Sequence, residues 1–136
     1  MAKPVSLGEI GAALGASPFH QFLRLRLVRA EAGLVEIALP FREEFIAEPD
    51  SAYIHGGVIA SLADIAGCFA VIASVGYDVP TIDLRMDYLK SAFREDLRAI
   101  GRTVKVGRTL AIADAEIYNQ QNVMIAIGRG LFSTKT

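Results

Sequence analysis

A single apolar segment dominates this sequence and limits the folds that it can adopt. Residues 54–75 hold the longest apolar run in the chain, and Asp64 is the one acidic residue inside it. A carboxylate among apolar side chains is costly to bury unless it is paired with a partner or used in catalysis. The segment therefore predicts a helix in a protein core and makes Asp64 the first candidate for a functional residue.

The same segment is long enough to suggest a membrane-spanning helix. However, Asp64 interrupts it, small polar residues are scattered through it, and charged residues follow closely on both sides. These features argue against a bilayer and favour a helix that is apolar all round because it lies inside a soluble core. We expect this central helix to cover residues 55–76.

Gly56 and Gly57 stand at the predicted start of the helix. Glycines allow the chain to turn sharply, and the first N–H groups of a helix have no partner within it. The helix dipole adds positive potential at the same end. A polarised carbonyl or an oxyanion is the expected ligand of such a site. The alternative is a plain turn before a core helix.

The spacing of Gly57 and Asp64 sharpens this interpretation. They are seven residues apart, so they share one face of a helix. Seven residues rise about 10.5 Å along the axis, whereas a catalytic group has to lie within roughly 3 Å of the atom on which it acts. The two residues therefore either have unrelated roles or meet across a dimer of antiparallel helices.

Several motifs accompany this spacing. They are His-Gly-Gly at 55–57 with Leu-Ala-Asp at 62–64, Thr-Ile-Asp-Leu at 81–84 with Tyr-Leu at 88–89, Gly-Arg-Thr-Leu at 107–110, and Ala-Ile-Gly-Arg-Gly at 126–130. Together they resemble the PaaI-type thioesterases of the hotdog-fold superfamily over roughly residues 20–134. The resemblance implies an α+β hotdog fold and an enzyme that hydrolyses an acyl- or aryl-CoA thioester to the free acid and CoA.

The resemblance also implies a role for each matching residue. Gly57, next to Gly56, would give its backbone N–H to the thioester oxygen, and Asp64 would act as nucleophile or general base. His55 would position the thioester, and Thr81 would hold the attacking water or contact the partner's Asp64. Alternatively, His55 is only part of a turn, and Thr81 is only the first residue of a strand. Strand alternation leaves the direction of Thr81 undecided.

One segment departs from the family pattern. Many relatives carry Asn or Gln a few residues before the His-Gly-Gly motif, and residues 48–54 contain neither. We expect Asp50 or Ser51 to substitute. If neither does, hydrolysis would be slow, or the protein would bind acyl-CoA without cleaving it, which is the alternative function.

Coenzyme A carries phosphates that need cations. The candidates are Lys90, Arg94, Arg108, Arg129 and Lys135. Arg108, on a Gly-Arg turn, is the first choice, although each of these side chains taken alone is typical of a solvated surface charge.

Other chemistries have weaker support. Ser61, His55 and Asp64 suggest a triad, but Ser61 lacks the exposed Gly-x-Ser-x-Gly turn, and its hydroxyl is expected to bond one helical turn back. A hotdog dehydratase would need a different catalytic motif. We find no zinc-ligand spacing, phosphate loop or dinucleotide fingerprint in the sequence, so we expect no metal and no cofactor.

Composition bears on domains, partners and compartment. The chain has 136 residues, 52% of them hydrophobic, a net charge of −1 and one cysteine. We expect one domain, no nucleic-acid partner, and a cytoplasmic protein without a signal peptide, a membrane anchor or an intrachain disulfide. The apolar surplus and the two-chain site predict a homodimer, and the resemblance implies a dimer of dimers.

Further elements are predicted on both sides of the central helix. A Ser6–Glu9 capping box predicts a helix over residues 5–16, within an N-terminal helical segment 1–18, and His20 is expected in a loop or at a strand edge. Alternating side chains predict a hairpin of strands over 22–29 and 34–41, followed by a loop over 42–54. Four strands, over 81–89, 97–106, 109–118 and 123–132, are predicted to continue as an antiparallel meander.

Overall fold

The computed structural model describes residues 5–136, in which six strands form one antiparallel sheet that curves around a long helix. The helices are α1 (Leu7–Ala16), α2 (Pro18–Leu23) and α3 (Gly56–Val75), and a 3₁₀ turn covers Glu43–Phe45. The strands are β1 (Arg26–Glu31), β2 (Leu34–Leu39), β3 (Thr81–Tyr88), β4 (Leu97–Val106), β5 (Leu110–Tyr118) and β6 (Met124–Ser133). The predicted α+β class is confirmed.

The order of the strands differs from the predicted meander. Across the sheet the order is β1-β2-β4-β5-β6-β3, so the strand that follows α3 lies at the edge beside β6 and not beside β4. Alternation reveals which face of a strand is buried, but it does not identify the neighbouring strand. The charged residues of β3, which are Asp83, Arg85 and Asp87, are typical of an edge strand.

The N-terminal region holds a second correction. The predicted strand over 22–29 begins later, at Arg26, because Phe22 and Leu23 complete α2 and Arg24 adopts a left-handed conformation with φ 58°. Pro18 is accommodated in the first turn of α2, where its missing N–H costs nothing. His20 lies in this short helix and not in a loop or strand, and its Nδ1 is 2.9 Å from the carbonyl oxygen of Leu14.

The predicted capping box begins α1, because Ser6 and Glu9 exchange side-chain to backbone hydrogen bonds. Residues 1–4 of the predicted N-terminal segment lie outside the described part of the chain. α3 begins one residue after His55 and ends before Gly76, close to the predicted limits. Among residues 5–136 it is the one helix with the length and composition to cross a membrane, and 67% of its most apolar window is buried inside the protein. Such burial is typical of a core helix.

The helix packs closely on the sheet because both surfaces carry small residues. Ala66 and Ala70 of α3 are fully buried, and Gly101 of β4 faces the helix backbone. A Cβ atom at Gly101 would lie 2.1 Å from the carbonyl oxygen of Ala66, and one at Gly128 would lie 3.4 Å from the Cβ of Ala63. This contact fixes the position of α3, and with it the position of Asp64.

Gly101→Ala is therefore expected to lower the free energy of unfolding by about 1–3 kcal/mol, the usual cost of overpacking. The matched control is Gly15→Ala on α1, where a Cβ meets nothing within 4 Å and better helix propensity is expected to be neutral or stabilising. Urea unfolding measures both variants. Equal stability of the two would contradict the close helix–sheet contact.

Candidate functional site

Three side chains hold the first turn of α3. His55 is the N-cap, and its Nδ1 accepts a hydrogen bond from the N–H of Gly57 at 2.8 Å. The hydroxyl of Tyr88 donates to the carbonyl oxygen of Gly56 at 2.7 Å. The hydroxyl of Ser61 donates to the carbonyl oxygen of Gly57 at 2.8 Å. The Ser61 bond is the one predicted from the sequence, and it leaves the triad interpretation without support.

Gly57 allows a close approach of its neighbour, and neither Gly56 nor Gly57 has a left-handed backbone conformation. Among residues 5–136 the glycines with positive φ are Gly33 and Gly76. A Cβ atom on Gly57 would lie 3.0 Å from Nδ1 of His55, and one on Gly56 would lie 3.4 Å from the phenol of Tyr88. A side chain at residue 57 would thus crowd the imidazole, whereas one at residue 56 would be in ordinary van der Waals contact with the phenol. A role for the two glycines in a sharp turn stays a prediction.

Asp64 has one side-chain hydrogen-bond partner within residues 5–136. Its Oδ1 accepts a hydrogen bond of 2.7 Å from the hydroxyl of Thr81, and its side chain is half-buried. Thr81 pairs with Phe132 and Asp83 pairs with Leu131, so Ile82 is an extra residue that forms a bulge. Bulges change the direction of neighbouring side chains. Thr81 therefore faces α3, and it contacts the Asp64 of its own chain.

A pocket of about 420 Å³ opens beside the start of α3. Its lining residues are Tyr53, Ile54, Gly56, Ile59, Tyr88, Leu89, Lys90 and Ser91. The pocket brings together two predicted substrate-binding residues, Gly56 and Lys90. Neither Tyr53 nor Tyr88 was a predicted site residue. The Tyr-Leu pair at the end of β3 was a signal for Tyr88, because it belongs to a family motif.

A second groove, of about 500 Å³, lies beside Asp64. Cys68 is one helical turn beyond Asp64, and Pro80 directly precedes Thr81. The other lining residues are Ala13, Ala16, Ser17, His20, Phe69, Ile72, Asp78 and Val79. The groove thus begins one helical turn from Asp64 and one residue from Thr81, and most of its walls are apolar.

The thiol in this groove is held in its protonated form. Burial, together with the negative charges of Asp64 and Asp78, raises the pKa of Cys68 to about 12. Its Sγ donates to the carbonyl oxygen of Val79 at 3.3 Å. A thiol with so high a pKa is a poor nucleophile at neutral pH, so Asp64 is the reactive group that the geometry favours.

Comparison with known proteins decides the family. The family model described as the thioesterase superfamily matches residues 52–126, a range that contains α3, Thr81 and Tyr88. The chain belongs to the thioesterase superfamily.

Individual relatives agree with this assignment. A crystal structure of another protein of the superfamily is 33% identical, with a TM-score of 0.89 over 91% of this chain and 94% of the other. The medium/long-chain acyl-CoA thioesterase YigI of Escherichia coli is 28% identical, and the match covers 80% of each chain. The E. coli PaaI protein from the phenylacetic acid degradation operon has the same fold. It is 23% identical, with a TM-score of 0.83 over 90% of this chain and 87% of the PaaI chain. The predicted PaaI-like hotdog fold is confirmed.

The candidate CoA-binding cations of this thioesterase-superfamily chain lie in different environments. Arg129 makes two hydrogen bonds to Asp114, at 2.7 and 2.9 Å, and Arg94 pairs with Glu43. Lys135 is exposed near the C-terminus. Within residues 5–136, Lys90 and Arg108 make no ion pair. Arg108 lines a pocket of about 400 Å³ with Lys105 and the apolar residues Leu110, Ile112 and Leu131.

The two proposed substitutes for the missing amide lie in a turn before the helix. The Glu48 carboxylate accepts hydrogen bonds from the backbone N–H groups of Asp50 and Ser51, at 2.9 and 2.8 Å. Both side chains are exposed, and neither lines the pocket beside Gly56. A role for Asp50 or Ser51 in the site stays a prediction.

Proposed function

We propose that this chain is an acyl-CoA thioesterase that hydrolyses the thioester to a free acid and CoA. The observation that carries the proposal is one backbone donor, the Gly57 N–H, and one oriented acid, Asp64, on the same helix of a thioesterase-superfamily chain. A donor that polarises the carbonyl and an acid that attacks it or activates water are sufficient for a thioester, because the thiolate is a good leaving group.

The substrate carbonyl has to compete with His55 for the Gly57 N–H. In the structure the imidazole Nδ1 accepts that hydrogen bond at 2.8 Å. A carbonyl oxygen that replaces it exchanges one hydrogen bond for another, so the net cost is small. As negative charge develops on the oxygen, the new bond becomes charge-assisted and stronger. The displaced ring then lies next to the thioester, where it fits the proposed positioning role.

Asp64 acts through a carboxylate oxygen that Thr81 orients by its hydroxyl. As a nucleophile, Asp64 bonds to the carbonyl carbon while the C–S bond breaks, and water then hydrolyses the resulting anhydride. As a general base, Asp64 takes a proton from water, whose oxygen bonds to the same carbon before the thiolate leaves. Both routes give one acid and one thiol for each thioester.

The proposal includes a site shared between two chains. Gly57 and Asp64 are seven residues apart on α3, about 10.5 Å along the axis. The outer edge of β3 has no neighbouring strand within residues 5–136, and Ile82 on it is 53% exposed. Pairing of two β3 edges would continue the sheet and cover this apolar surface. It would also place two α3 helices side by side.

The groove beside Asp64 fits the acyl chain. From Asp64 to Ile72 the helix covers eight residues, about 12 Å, and an extended chain advances about 1.3 Å per methylene when C–C bonds are about 1.5 Å. An acyl chain whose carbonyl lies at Asp64 would therefore need about nine carbon atoms to reach Ile72 in the groove. The medium/long-chain activity in the name of the YigI relative supports a medium-length acyl group.

Free thiol release from a panel of acyl-CoA esters tests the proposal. We expect CoA and acid to form in equal amounts, with octanoyl-CoA hydrolysed at a higher kcat/KM than acetyl-CoA. Ala16→Leu, which narrows the groove, should shift the preference to shorter chains. Ala12→Leu, on the same helix but outside the groove, should not. Tight acyl-CoA binding without thiol release would instead support the non-catalytic binding protein.

Arg108 is the proposed ligand of a CoA phosphate, with Lys105 beside it. Arg108→Ala is expected to raise KM for acyl-CoA more than it lowers kcat. It should have little effect on the N-acetylcysteamine thioester of the same acid, which lacks the nucleotide. Arg29→Ala, at an exposed ion pair on β1, is the matched control. Equal effects of Arg108→Ala on both substrates would make Arg108 an ordinary surface charge.

A further inference from the structure

We infer that Tyr88 is a positioning residue for the oxyanion donor, because its hydroxyl holds and polarises the peptide group that carries the Gly57 N–H. The inference rests on the proposed thioesterase function. It adds to the site a residue from β3, 32 positions along the chain from Gly56.

Tyr88 and His55 bind the two ends of one peptide group. The carbonyl of Gly56 and the N–H of Gly57 belong to the same planar amide. The Tyr88 hydroxyl donates to its oxygen at 2.7 Å, and the His55 Nδ1 accepts from its nitrogen at 2.8 Å. The orientation of this amide is thus set by a donor on one side and an acceptor on the other.

The bond from Tyr88 also makes the N–H a better donor. A carbonyl oxygen has two lone pairs, so the phenol can add to the hydrogen bond that the helix already supplies. Hydrogen bonds in a chain polarise one another, by about 10–30% per bond. When the thioester oxygen replaces His55 at the Gly57 N–H, the strengthened donor faces the oxygen on which negative charge develops.

The surroundings of Tyr88 fit this role. The phenol packs against Gly56, where even a Cβ atom would be in ordinary van der Waals contact with the hydroxyl, at 3.4 Å. The ring lines the pocket beside Gly56. Burial raises the pKa of Tyr88 above its ordinary value, so the hydroxyl keeps its proton and can donate at any pH at which acyl-CoA is assayed.

Tyr88→Phe removes the hydroxyl and keeps the ring. The matched control is Tyr118→Phe on β5, whose ring stacks on Arg98 away from α3. In the free, isotope-labelled protein, we expect Tyr88→Phe to move the Gly57 amide proton upfield because its hydrogen bond weakens, whereas Tyr118→Phe leaves it in place. With octanoyl-CoA we expect kcat to fall about 3- to 10-fold, the effect of one ordinary hydrogen bond, while KM changes by less than about twofold.

The two measurements separate the inference from the proposed function. An unshifted Gly57 amide together with an unchanged kcat would overturn the inference. Parallel losses in kcat, affinity and thermal stability would also overturn it, because they indicate that the hydrogen bond only stabilises the fold. If wild-type protein hydrolyses no acyl-CoA, the proposed function fails. The Gly57 amide shift still decides whether Tyr88 polarises the peptide group.

Discussion

Asp64→Asn is expected to leave the protein folded and to lower kcat for acyl-CoA by about 10²–10⁴-fold, the range typical of losing a general base or a nucleophile. Asparagine has the same shape as aspartate and can still accept the hydrogen bond from Thr81, which is 2.7 Å long in the structure. It cannot attack the carbonyl or take a proton from water. The loss should therefore fall on kcat, with KM little changed.

Stability is the control for this variant. Asp64 is half-buried and keeps its partner after substitution, so the free energy of unfolding should change by no more than about 1 kcal/mol. Asp114→Asn makes the same chemical change at the ion pair with Arg129 on the sheet and should keep wild-type kcat. Thiol release by Asp64→Asn at the wild-type rate would rule out the proposed chemistry.

The sequence predicted the central helix well because its limits have strong local signals. The apolar run begins at the capping His55 and ends before Gly76, which takes a left-handed conformation with φ 85°. Alternation identified the strands but not their order. The position of β3 beside β6 arises because α3 carries the chain from β2 across the sheet to its far edge. The short helix α2 was missed because its last residues, Phe22 and Leu23, also fit the alternating pattern of the strand that follows.

The candidate site was predicted in part. Gly57, Asp64 and Thr81 follow from the motif and its resemblance to a family, but the hydrogen bonds that orient them do not. The direction of Thr81 depends on the bulge at Ile82, which alternation cannot reveal. The Tyr88 bond to Gly56 joins segments that only the three-dimensional fold brings together.

Arg129 illustrates the same limit for binding residues. It was a candidate for CoA because the phosphates of CoA need cations. In the sheet it lies directly opposite Asp114, and cross-strand pairs of opposite charge are favourable. The register between β5 and β6 decides this pairing, and the sequence alone does not reveal that register.

A thioester site shared between two chains is tested most directly by mixing two inactive variants. Asp64→Ala removes the acid, and Gly57→Pro removes the backbone donor while proline remains tolerated in the first turn of a helix. After subunit exchange, about half of the dimers would be heterodimers. Each heterodimer would have one site with both lesions and one site with neither.

We predict that thiol release from octanoyl-CoA in the equimolar mixture rises to about a quarter of the wild-type rate, as random pairing of a two-fold dimer requires. Exchange is verified by mass spectrometry, and circular dichroism verifies that Gly57→Pro is folded. If Gly57 and Asp64 instead act within one chain, every site keeps one lesion. The absence of recovered activity in a fully exchanged mixture of folded variants would contradict the shared site.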